Sequence, residues 1–410
     1  MIRSLIRSRT GGRTRRFPPG SRPTLGGVGP TRDACPGRVP SPILPVSGRH
    51  SAPLRPPLAM PRFLPVRAIL SRAILSRGVL LPALLLTLSA CADPPEDPAP
   101  RLEQDGVTID DAALDAAPEW LADLIRSDPT AEPQAISLLG EPLHAREDDT
   151  GEVAEADAAL LGNPDDVELL IAAGRVRRNH WQYRQAMELY SRAAELAPDD
   201  WRPVRFRGHR HLSVREFDQG IRDLERARTL APLNWDVSYH LGLGYFLDGR
   251  FDDAASEYLR CLELADDPDA RAASEPGFRS CSENADDPES MVAMVEWTVR
   301  ALERAGRMEE ARSWVERIPA DLPIQENIAY YHNLLMDQGV MTEDELLSPG
   351  PDGPYRLETV GYGVATRRLA RGDIEGAEAL LRRLMEDEWW PGFGRLAAEA
   401  DLARLERRTP

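Results

Sequence analysis

The chain has 410 residues and a formal net charge of −17, from 67 acidic and 50 basic residues, and every basic residue is arginine. Residues 1–90 hold 15 Arg against one acid, Asp33, a net +14, whereas residues 91–410 hold 35 Arg against 66 acids, a net −31. A body that acidic repels polyanions, which excludes non-specific binding to nucleic acid or adsorption to an anionic membrane surface.

Residues 1–59 carry 11 prolines with many Gly, Ser and Arg and no apolar periodicity. Such a stretch cannot bury enough apolar surface to offset its ordering entropy, so a disordered extension is expected, attached by a start codon set too far upstream. Arg15-Arg16-Phe17 invites a twin-arginine export reading, but Pro18, Pro19 and Gly20 stand where the apolar stretch should begin. From Met60 the pattern changes. Arg62, Arg67, Arg72 and Arg77 precede an apolar run, Val79 to Leu88, and then Leu88-Ser89-Ala90-Cys91. Positive charge, a short apolar core and small residues, in that order, are a secretory signal over 60–90. The run is shorter than the roughly 20 residues that span a bilayer, and Pro82 interrupts it.

Leu88-Ser89-Ala90-Cys91 also resembles the bacterial lipobox. The resemblance implies cleavage before Cys91 and lipidation of that cysteine, which places the protein in the bacterial cell envelope, at the outer membrane or periplasmic face. Several acyl chains on Cys91 suffice for stable anchoring, so the membrane is met through the lipid only. Residues 91–108, with Ala-Asp-Pro-Pro-Glu-Asp-Pro-Ala-Pro at 92–100, read as a stiff acidic tether.

Past the tether, helices are expected over Asp111–Ile125 and Gly151–Leu161, capping one end of a body (109–162). A period of 34 follows: Gly174, Gly208 and Gly242; Ala186, Gly220 and Ala254; Tyr183, Phe217 and Phe251; Tyr190, Leu224 and Tyr258. Pro198 and Pro232 punctuate it, as a residue without an N–H must. Helices paired at that period, with small residues where they touch, resemble the tetratricopeptide repeat. Three repeats cover 163–266, an insertion 267–289, and a further repeat plus a degenerate one 290–348, with its short second helix near Thr342–Leu347. A last repeat and a polar-faced capping helix take up 349–410. The fold expected is an all-α solenoid of five or six hairpins, wound as a right-handed superhelix.

Motifs for catalysis do not emerge. Gly242-Leu-Gly244 and Gly361-Tyr-Gly363 sit inside helices and lack the other glycines or the lysine of a phosphate loop. His209 and His211 point about 200° apart on a helix and cannot chelate one metal. No catalytic residue, metal or cofactor is assigned, and the protein reads as a non-enzyme. In the resembled family, ligands lie along a concave face built from each repeat's first helix. Carried onto this sequence, those positions give Arg175, Arg178 and Asn179, then Arg202, Arg205 and His209, then Tyr239 and Phe246. A basic patch leading into an aromatic one suits a carboxylate held by forked guanidinium groups beside an apolar anchor, hence an acidic peptide or protein partner. The competing reading pairs the same arginines with acids of adjacent helices. The family's carboxylate clamp is not reproduced, because Ile171 and Asp236 replace basic residues.

Cys261 and Cys281 fit a disulfide in an oxidising compartment, or two free thiols. Arg207 and His211 hold repeat positions that are usually apolar, and buried there they would need partners. The leading expectation is a lipid-anchored envelope scaffold that binds proteins in its groove. Its alternatives are a binding protein for a small anionic solute or peptidoglycan fragment, and an enzyme with a cryptic site.

Overall fold

The computed structural model of the protein describes residues 107–273, 279–348, 353–386 and 388–407. The expected extension, signal segment and lipobox (Leu88, Ser89, Ala90 and Cys91) lie outside the described residues, as does the tether up to residue 106.

Two short helices come first, α1 (Asp111–Ala116) and α2 (Glu119–Arg126). Asp110 caps α1 by accepting from Ala112 N, and Pro118, which cannot continue a helix, splits the single helix expected over this stretch. A small antiparallel hairpin follows, β1 (Ala135–Ile136) and β2 (Pro142–Leu143), with Ala135 opposite Leu143. Then come α3 (Glu152–Gly162) and three hairpins: α4 (Val167–Asn179) with α5 (Tyr183–Leu196), α6 (Trp201–Ser213) with α7 (Phe217–Leu230), and α8 (Trp235–Leu247) with α9 (Phe251–Ala265). The insertion carries α10 (Pro268–Ala273) and α11 (Cys281–Ala285). Three more hairpins are α12 (Pro288–Arg304) with α13 (Met308–Val315), α14 (Ile328–Asp337) with α15 (Glu343–Leu347), and α16 (Gly353–Arg371) with α17 (Ile374–Leu384). The last helix is α18 (Phe393–Glu406).

The 34-residue period acts through local contacts. Asp166, Asp200 and Asn234 each cap the first helix of a hairpin with a side-chain oxygen. Gly174 and Gly242 lie so close beneath the buried rings of Tyr190 and Tyr258 that a Cβ at either would collide with the ring. Each hairpin turns through one residue in the left-handed region: Trp181, Arg215, Gly249, Gly306, Gly339 and Gly372, with φ between 58° and 85°. Four are glycine, as that conformation favours; Trp181 and Arg215 are not, at a cost of about 1–2 kcal/mol each.

The insertion is pinned to the third hairpin. Trp235 N donates to Arg279 O (2.9 Å), Cys281 N donates to Leu233 O (2.8 Å), and Cys261 of α9 is disulfide-bonded to Cys281 with Cα atoms 5.4 Å apart.

The last helix departs from the polar-faced cap expected of the sequence. Every residue from Phe393 to Ala403 is buried, Arg395, Glu399 and Asp401 included. Burial is tolerated because the charges are matched: Asp401 accepts from Arg304 (2.7 Å), Arg404 (2.7 Å) and Tyr362 (2.9 Å). Burial works against this carboxylate, yet Arg304 and Arg404 hold its pKa below the ordinary value. The helix packs along α16 and α17 and also meets the second and third hairpins.

Candidate functional site

The inner face of the first three hairpins splits the expected groove residues in two. Arg175, Arg178 and Arg202 are half-buried and Asn179 is exposed. Arg202 forks onto Glu168 (2.6 and 3.0 Å) and Asp200 (2.7 and 3.1 Å), and these bonds, Asp200 first, keep its pKa above the ordinary arginine value. Arg205 is 1% exposed, with Nη2 2.5 Å from Asp236 and 3.1 Å from the His240 ring. His209 is buried with its ring centroid 4.2 Å from that of His240 and 5.1 Å from that of Phe393. Half-buried Tyr239 lies 6.4 Å from Phe393, and Phe246 is wholly buried against Phe251 (5.1 Å) and Trp297 (5.2 Å).

This corrects the expectation of an open basic-to-aromatic groove at three positions. Arg205, His209 and Phe246 are core residues, because Asp236 neutralises Arg205 and the start of α18 covers the histidines. The arginine–acid pairing between adjacent helices, the competing reading, describes both Arg202 and Arg205.

The segment from Trp389 to Arg404 lies across the three hairpins and touches their turns in order. At the first turn, the Trp181 ring meets Trp389 (5.1 Å) and Trp390 (5.7 Å), with Arg146 stacked on Trp181 at 3.6 Å. Tyr183 packs on Trp390 (5.2 Å), whose Nε1 donates to His144 O (2.9 Å). At the second turn, Arg215 grips Glu399, with Nε 3.0 Å from Oε1 and Nη2 on Oε2. Leu138 N, just past β1, donates to the same Oε1 at 2.6 Å. At the third, Arg404 Nη1 donates to Leu247 O (2.7 Å).

Sequence reasoning missed Arg146, Trp181, Arg215, Trp389, Trp390 and Glu399. One signal was present. Arg215 and Trp181 fall 34 and 68 residues before Gly249, at the turn position where a left-handed residue is required and glycine is the usual choice.

On another side, a cavity of about 570 Å³ is lined by Trp120, Arg184, Met187, Glu188, Arg207 and His211, among others. Here the odd polar residues find partners: Arg207 forks onto Asp223 (2.7 Å, both bonds) and His211 Nδ1 lies 2.7 Å from Glu216. Burial raises the pKa of Glu188, with Arg177 opposing it. Among the described residues no group of three or more His, Cys, Asp and Glu is placed to hold a metal. Among them, too, no helix is long and apolar enough to cross a membrane.

Hairpins of this length and period, packed through small residues, are similar to tetratricopeptide repeats, and the described residues form a solenoid of such helical hairpins. No family model matches the chain. It is 24% identical over 115 residues to the small glutamine-rich tetratricopeptide repeat-containing protein 2 of Saccharomyces cerevisiae, covering 28% of this chain and 32% of that one. The chain thus matches about a third of the length of that curated relative. Solved structures with similarity include MamA (17% identity, TM-score 0.32, 49% of this chain and 86% of that one). They also include YrrB, described as a TPR protein with an unusual peptide-binding site (14%, 0.34, 62% and 99%). A third is a tetratricopeptide repeat protein from Parabacteroides merdae (13%, 0.33, 60% and 91%).

Proposed function

We propose that the chain is a non-catalytic protein-interaction scaffold, anchored to the bacterial envelope by lipid on Cys91, whose inner face receives acidic partner segments carrying an aromatic anchor. The observation that supports the binding half is the chemistry of the segment this face already contacts. Two tryptophans and a glutamate of the chain's own C-terminal region engage Arg146, Trp181, Tyr183 and Arg215. Arg175 and Arg178, half-buried on α4, are the further arginines assigned to this face, whereas Glu168 and Asp200 neutralise Arg202. Native-envelope crosslinking tests it: Arg175→Glu with Arg178→Glu removes the captured partner, and unchanged capture sinks the inner-face reading. The address rests on Leu88-Ser89-Ala90-Cys91. Cys91→Ser moves the protein out of the membrane fraction; mass spectrometry finding a mature chain that starts before Cys91 or lacks lipid would contradict it.

A second reading, a binding protein for a small anionic solute such as a peptidoglycan fragment, draws on the cavity beside Trp120. Its wall carries Arg184, Arg192 and Arg207, whose guanidinium groups suit a carboxylate, although Glu216, Asp165 and Asp223 engage them. Thermal-shift screening separates the two, because only this reading raises Tm with a free anionic solute.

A further inference from the structure

In a repeat array each hairpin contacts its sequence neighbours, and the array behaves as a chain of nearest-neighbour interfaces. The contact between the N-terminal part of the body and the C-terminal segment 389–404 breaks that rule: Arg215 and Glu399 are 184 residues apart, and Trp390 Nε1 and His144 O are 246 apart. The helix belongs to the far end by its packing, since it lies along α16 and α17. Its residues Phe393 and Glu399, with Trp389 and Trp390 just before it, meet the first two hairpins.

That contact has two parts, a buried cluster of Trp181, Tyr183, Val214 and Trp390 that holds it shut and an ion pair that favours specificity over net stability. Arg215 and Glu399 form a buried ion pair, whose mutual attraction is largely offset by lost hydration. The two turns that hold it, at Trp181 and Arg215, are also the two that depart from glycine. Small rotations at each hairpin interface add along a solenoid, so its ends can part without any one hairpin unfolding.

We infer that this end-to-end contact is a clasp that opens, and that a partner segment with a tandem-aromatic, acidic sequence opens it by taking over Arg146, Trp181, Tyr183 and Arg215. The inference rests on the inner face being the partner site and adds how access to it is controlled. A partner must compete with the resident segment, so apparent affinity is reduced by the fraction of molecules that are open.

The test uses the full chain and, as probe, a labelled synthetic peptide of residues 388–407. Glu399→Gln and, separately, Trp390→Ala weaken the resident segment and leave the receiving residues intact. Two readouts are followed: probe affinity, and hydrogen exchange at the Leu138 amide, which donates to Glu399 in the closed state. Both variants should speed Leu138 exchange and bind the probe about tenfold or more tighter than the unmodified chain. Adding Arg215→Gly, which suits the turn, should abolish that gain. Unchanged exchange and affinity in both variants would overturn the clasp. So would tight probe binding by the unmodified chain with Leu138 still protected, though that result would leave the inner-face reading standing. Faster exchange with no probe binding would sink the partner chemistry and the inner-face reading together.

Discussion

Arg215 holds the turn between α6 and α7 at φ 67° and closes a two-bond fork on Glu399, 184 residues further along the chain. One side chain thus sets a local turn and a long-range closure. Glu399→Ala leaves Arg215 facing a buried site without its carboxylate. A pair that stays buried would cost about 3–5 kcal/mol to break this way. Here the loss is capped by opening of the clasp, which rehydrates the guanidinium, so about 1–3 kcal/mol is expected in urea unfolding. Adding Arg215→Gly removes the orphaned charge and relaxes the turn. The double variant should therefore be more stable than Glu399→Ala alone; strictly additive losses would mean that the two residues are not coupled.

The glycine positions give a sharper test of the hairpin packing. Gly242→Ala drives a methyl group into the Tyr258 ring and should cost about 1–3 kcal/mol, read as a fall in Tm. Gly162, the last residue of α3, has no atom within 4 Å of the Cβ it would gain. Gly162→Ala should be neutral or stabilise by about 0.5–1 kcal/mol. Equal losses at both sites would contradict the close approach at Gly242.

The solenoid was legible because its determinants fall within one period. Gly174 meets Tyr190, Gly242 meets Tyr258, and Asp166, Asp200 and Asn234 cap helices a few residues away. The closing contact was not, because its determinants are distant. Glu399 and Asp401 look like surface acids until Arg215 and Arg304 reach them, 184 and 97 residues away in sequence. Arg205 is closer to the readable range: its acid, Asp236, is on the next repeat, as the pairing of arginines with acids of adjacent helices expects. A hydrophobic pattern counts a carboxylate as exposed, and only tertiary pairing makes it a core residue.

The disulfide predicts a redox dependence of stability. Cys261 and Cys281 close a loop with a sequence separation of 20, and in the chain-entropy model such a loop contributes roughly 3 kcal/mol. Reduction should lower Tm and release two thiols in a titration under denaturing conditions, with the insertion around α11 exchanging its amides faster than α12. An unchanged thiol count and unchanged Tm on reduction would rule the bond out in solution.

Glu303 gives a prediction with a defined sign in pH. Its Oε2 is shielded and accepts no hydrogen bond from the described residues. Burial raises its pKa above the ordinary carboxylate value; Arg367 and Arg371 oppose the rise, while Asp337 and Glu296 add to it. A carboxyl whose pKa is raised by folding binds more protons in the folded state, so the charged form destabilises the fold at neutral pH. That penalty disappears as pH falls through the raised pKa towards the unfolded value. Glu303→Gln keeps the shape without the charge and should stabilise the protein by on the order of 1 kcal/mol near pH 7.5. The advantage over the unmodified chain should shrink as pH is lowered into the ordinary carboxylate range. Thermal unfolding of both proteins across that range checks it, and a gain that grew towards acid pH would mean that Glu303 is stabilised as a carboxylate.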